Sequence, residues 1–107
     1  MKEAIIKEKL QESFLSYLAI PSQSDEKNPN VPSSVGQLLL AQKLEKDLED
    51  LGLVDISINE FGVLQAKLPA NNTTPNIGWV CHLDTVDVGL SDQINPQVIK
   101  NYDGKDI

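Results

Sequence analysis

The sequence has 107 residues, 40% of them hydrophobic, and a formal net charge of -7 at pH 7. That length holds one domain and excludes two, and the apolar content excludes a disordered chain. A surface of this sign repels phosphate backbones and anionic lipid, which argues against nucleic acid and membrane partners. The single cysteine, Cys81, allows no internal disulfide, as fits a reducing compartment. The start, Met1-Lys2-Glu3-Ala4-Ile5-Ile6-Lys7-Glu8, is broken by charge and forms no apolar leader, and no later stretch is long and apolar enough to cross a bilayer. A soluble cytoplasmic protein is the expectation.

Ile6, Leu10, Phe14, Tyr17 and Leu18 recur at helical spacing. They predict an amphipathic helix ending near Ala19, because Pro21 biases Ile20 away from helical angles. The polar stretch 22–32 reads as an irregular loop. Ser34 and Gln37 then have capping-box spacing. Leu40, Leu44, Leu48 and Leu51 follow as one apolar stripe, and Gly52 stands where a left-handed cap is wanted.

Val54, Ile56 and Ile58 alternate with polar residues, as do Leu64, Ala66 and Leu68 beyond a turn at 59–62. This pattern predicts a hairpin with one wet face. A loop over 69–75 follows. Ile77-Gly78-Trp79-Val80-Cys81 has no polar alternation and predicts a strand buried on both faces of a sheet. Residues 86–96 read as a long polar loop and 97–102 as another strand. Asp103-Gly104 is a hairpin-turn signal, after which only Lys105-Asp106-Ile107 remain. The chain therefore reads as cut within a hairpin. The expected fold class is α/β, the N-terminal part of a larger catalytic domain, with two helices packed on a mixed β-sheet. The whole of 1–107 is read as one partial domain, truncated at its C-terminus.

Three groups of residues could carry chemistry. His82 and Asp84 lie at the C-terminal end of the predicted strand 77–81. Side chains two apart on a strand point the same way. His82 could bind a metal while Asp84 fixes its tautomer, the partnership that metal-bound histidines commonly need. Beyond the carboxyl ends of strands is also where open α/β sheets place ligands. The plainer reading is a histidine that bonds to a loop. Cys81 would face away from His82 and reads as a small buried hydrophobe. Val31-Pro32-Ser33-Ser34-Val35-Gly36-Gln37 is a helix entry that could bind an anion or serve simply as a cap. A catalytic zinc takes three protein ligands, and the sequence holds one histidine. Asp87 and Asp92 lie in the loop that follows, but their spacing does not require them to approach it.

Further blocks along the chain accompany His82-Leu83-Asp84-Thr85. They are Val31-Pro32-Ser33-Ser34 with Gly36-Gln37, Leu51-Gly52-Leu53, Gly62-Val63-Leu64 with Ala66, and Leu68-Pro69-Ala70-Asn71. Asn95-Pro96-Gln97, Asn101-Tyr102 and Gly104 complete the series. In this order and at these intervals the sequence resembles the peptidase T family, tripeptide aminopeptidases of the two-zinc aminoacylase and carboxypeptidase-like metallopeptidases. The resemblance implies that His82 binds one of two zinc ions and that Asp84 is the catalytic-motif aspartate that orients it. It also implies that the bridging aspartate, the general-base glutamate and the other ligands lie in later sequence, together with a second domain. From that follow tripeptide substrates for the complete enzyme and an inactive piece here. Two alternatives stay open. One is a fragment of a related zinc deacylase or dipeptidase. The other is a small α/β interaction module that binds a partner through its exposed sheet edge, whereas self-association through an unpaired edge would favour a fragment.

Overall fold

The computed structural model describes residues 2–72 and 75–107; Met1, Thr73 and Thr74, the last two from the loop expected over 69–75, lie outside the described residues. Four elements form in the order α1 (Lys2–Leu18), α2 (Val35–Asp50), β1 (Val54–Ile58) and β2 (Leu64–Lys67). The α/β class holds.

Helix α2 is the anchor. Of its stripe, Leu40 is buried, with Ala41 beside it at 0% exposure, while Leu51 at the helix end is exposed. Leu44 and Leu48 are half-buried below them, and the helix packs on the hairpin that follows. It ends as the sequence predicts. Gly52 adopts φ +83°, its N–H donates to the Glu49 carbonyl at 2.9 Å, and the Leu53 N–H donates to the Leu48 carbonyl at 3.0 Å. This paired closure is a Schellman motif, which needs a left-handed residue that glycine adopts without a Cβ clash. The entry differs from expectation. The Ser34 hydroxyl makes no cap bond and is buried without a partner. Gln37 instead reaches one residue further back, accepting from the Ser33 N–H at 3.2 Å and donating to the Ser33 hydroxyl at 3.2 Å.

β1 and β2 pair antiparallel, with Ile58 opposite Leu64, Ser57 opposite Gln65 and Val54 opposite Lys67. Three steps on β1 match two on β2, so β1 carries one extra residue, a bulge. Asp55, at φ +53°, sits in it. The bulge breaks the simple alternation: Ile56 and Ile58 are half-buried while Val54 is exposed. The Asn59 side chain closes the connecting turn, its Oδ1 accepting from the N–H groups of Phe61 and Val63 at 3.0 Å each.

α1 forms, but only its C-terminal turn finds a neighbour. Ile5, Ile6, Leu10 and Phe14 stay exposed. The Tyr17 hydroxyl donates to Asp47 on α2 at 2.9 Å, and Lys43 ion-pairs with the same carboxylate at 2.6 Å while standing over the Tyr17 ring, 5.5 Å from its centroid. Burial, then the Asp47 hydrogen bond, raises the Tyr17 pKa above its usual 10.0. The hydrogen bond from Lys43 holds the Asp47 carboxyl below its usual 3.8.

The strands expected beyond residue 72 do not form. The segment 77–81 is not a strand, and Trp79 and Val80 are 91% and 99% exposed. Cys81 is exposed as well, not a buried hydrophobe. The reason is physical: an apolar run becomes a buried strand only when neighbours bond both its edges and cover its faces, and the sheet of the described residues contains only β1 and β2. Residues 97–102 likewise form no strand, although the turn chemistry after them is realised: the Asp103 carboxylate accepts from the Lys105 N–H at 3.1 Å. The parallel component expected of a mixed sheet is reduced to one bridge, between Gln23 and Thr85. The radius of gyration, 16.8 Å, exceeds the roughly 13 Å of a compact domain of this length. Among the described residues no helix is long and apolar enough to cross a membrane.

Candidate functional site

The stretch 21–24 links the site to the folded half. Gly36, in the first turn of α2, lies against the Pro21 carbonyl so closely that a Cβ at 36 would overlap it. Ser22, next in line, is buried. Its carbonyl accepts from the Thr85 N–H at 3.2 Å, and the Ser24 N–H donates to the Thr85 carbonyl at 2.9 Å. The Ser24 hydroxyl adds a second bond to that carbonyl at 3.2 Å. The Gln23 side chain extends the connection, its Nε2 donating to the carbonyls of Val86 and Leu90 at 3.2 Å each. The stretch read as an irregular loop therefore begins with the backbone that fixes Thr85. No local pattern in Ser22-Gln23-Ser24 signals this, because the partner lies about sixty residues away.

Thr85 in turn places Asp84, and Asp84 places His82. The His82 Nδ1 is 2.9 Å from the Asp84 carboxylate and 2.8 Å from the Asp84 carbonyl. Both neighbours are acceptors, so in the neutral ring Nδ1 carries the proton and the lone pair falls on Nε2. The imidazole is 84% exposed, and Asp84 is partly exposed beside it. The predicted pair is thus brought together, though by a local closure within 82–84 and not by two side chains sharing the edge of a regular strand. Asp87 and Asp92 do not join it: among the described residues no three His, Cys, Asp or Glu side chains gather. The helix-entry motif 31–37 is used structurally. The Ser33 hydroxyl accepts from the Asp25 N–H at 3.0 Å, and the Ser33 carbonyl accepts from Asn28 at 2.8 Å, which folds the 25–33 loop onto the start of α2.

What the arrangement offers chemically is one solvent-facing imidazole nitrogen with its tautomer set by a carboxylate, on an α/β scaffold. No protein-family model matches the chain. Curated relatives do: it is 41% identical over 104 residues to peptidase T of Bacillus velezensis, 46% identical over 103 residues to a peptidase T-like protein of Yersinia pestis, and 40% identical over 104 residues to peptidase T of Bacillus subtilis. Each match takes in 95% of this chain and 25% of the relative. The chain is homologous to the peptidase T proteins and spans about a quarter of their length.

Proposed function

We propose that the chain is the N-terminal part of a cytoplasmic, zinc-dependent tripeptide aminopeptidase, one partial catalytic domain in which His82 is a metal ligand and Asp84 holds it. The observation that carries this reading is the 2.9 Å contact between His82 Nδ1 and Asp84. It leaves Nε2 facing solvent in a sequence 40% or more identical to proteins named peptidase T. A neutral, oriented imidazole is the form that zinc takes up.

His82 fits zinc as a single ligand. A catalytic zinc needs three protein donors, and the described residues do not gather them, so the others would come from outside this chain. A bound metal would supply Lewis acidity toward the peptide carbonyl and the attacking water. The part of Asp84 is to keep the proton on Nδ1, and the part of the 21–24 segment is to keep Asp84 in place. The exposed apolar stretch 77–81 favours a piece of a larger catalytic domain over a free-standing interaction module, since a closed module would cover it. The names of the relatives favour peptidase T over a related deacylase.

The test uses the sole histidine. Zinc added to the 15N-labelled chain is expected to shift the His82 Nε2 resonance before any other group, weakly, as suits one ligand, and more weakly in Asp84→Asn. The zinc-loaded chain alone is expected not to hydrolyse a tripeptide. Imidazole resonances that ignore zinc would overturn the ligand assignment, and enzyme-like turnover by the isolated chain would overturn the partial-site reading.

A further inference from the structure

We propose that Gln23 is a positioning residue for the His82–Asp84 pair, acting through the 85–90 backbone; the inference rests on His82 being the group that faces the metal. A primary amide has two N–H donors, and Gln23 spends both on carbonyls of one short loop, Val86 and Leu90, at 3.2 Å each. The bonds tie together two residues four apart in sequence and close the loop over the amide. With two carbonyl oxygens opposite it, only the NH2 end of the side chain can face the loop.

The need for such a clamp follows from what surrounds the histidine. His82 is 84% exposed, so no packing fixes its ring, and the residues before it, 77–81, stand in solvent. All orientation must come from the C-terminal side. The first link is Asp84, whose carbonyl and carboxylate both face Nδ1. The second is Thr85, held by an isolated bridge to 22–24 and not by a sheet. An isolated bridge is a weak restraint, because strands gain stability from continued ladders. Gln23 extends this one by a residue in the direction the backbone does not follow, fixing 86 and 90 so that 84 and 85 cannot swing. A hydroxyl or an aliphatic side chain at 23 could not serve, since the loop presents two acceptors and needs two donors.

The experiment compares the 107-residue chain with Gln23→Glu, nearly identical in shape, in which a carboxylate replaces both donors and repels both carbonyls. Backbone 15N relaxation reports the order of residues 84–90, and long-range proton–nitrogen correlations report which ring nitrogen of the neutral His82 is protonated. The expected result is a fall in order parameter over 86–90 from about 0.85 to below about 0.6. With it the Nδ1–H to Nε2–H ratio should drop about twofold or more, while the α2 amides are unchanged. A tautomer ratio equal to the parent's overturns the proposal, whether or not the loop loosens, because Gln23 would then hold the loop without positioning the histidine. Should Gln23→Glu fail to fold, Gln23→Asn, which withdraws the amide by one methylene, carries the same readouts and the same two outcomes. Neither readout involves metal, so zinc failing to bind His82 and Gln23 failing to orient it are separate results.

Discussion

Residues 35–67 hold together through contacts with one another, whereas residues 75–107, which carry His82 and Asp84, are held chiefly from outside. In the first region a leucine stripe, a glycine cap and a side-chain-closed turn lie close together in sequence, and each element packs on the next. In the second no helix or strand forms, and the tie to the folded half runs through Thr85, Val86 and Leu90 to residues 22–24. The lesson is that the candidate chemistry sits where local structure is weakest, and that its geometry depends on one tether. Regions with few buried contacts open most readily, so the tether should decide how long the pair stays aligned.

The comparison can be broken most severely at Gly36. Gly36→Ala places a methyl on the Pro21 carbonyl, and backbone cannot yield as a flexible side chain can. The expected cost is about 1–3 kcal/mol in urea unfolding, with amide-exchange protection of Thr85 lost in the same variant. Protection at Thr85 equal to the parent's would show that the site does not hang from α2. A smaller change sharpens the contrast from the other side. Gly52→Ala imposes the left-handed φ of +83° on a residue with a Cβ and should cost about 1–2 kcal/mol. It should leave the His82 and Thr85 resonances where they were, because the hairpin end does not touch the tether.

The smallest effect is expected at the joint between helices. Tyr17→Phe removes the hydroxyl that donates to Asp47, at about 0.5–1 kcal/mol near neutral pH. The pH dependence has a definite sign. The folded Asp47 pKa is depressed by Lys43, so its contribution is complete above the ordinary 3.8 and disappears as pH falls through the lower folded value. Tyr17 and Lys43 are raised, by burial and by the Asp47 hydrogen bond respectively. Their contributions are complete below 10.0 and 10.5 and disappear as pH rises through the higher folded values. Stability measured from pH 2 to 11 should therefore show the parent and Tyr17→Phe converging at both extremes. Parallel curves over the whole range would remove the joint from the account.

Legibility in the sequence followed the same divide. The span of α2, its glycine cap and the hairpin could be read because the residues that make them are neighbours in the chain. Within those elements, the reading missed offsets of one residue, the bulge at Asp55 and Gln37 reaching Ser33 and not Ser34, and it missed the exposure of Leu51, Ala66 and Leu68. Farther along, periodicity misled. Ile77-Gly78-Trp79-Val80-Cys81 has the composition of a central strand, but composition does not supply neighbours, and its backbone lies free of any strand. The His82–Asp84 pair was legible from spacing, although the geometry that unites it is a local closure. Gln23 was invisible, since nothing near it in the chain announces a partner at 86 or 90.

The exposure of residue 79 has a practical consequence. The chain contains one tryptophan, and that indole is bathed in water, so its emission should lie at the red end of the protein range and be quenched freely by small solutes. Whatever comes to cover the 77–81 stretch would turn that colour toward the blue, so assembly around the site can be watched by light, with no label attached.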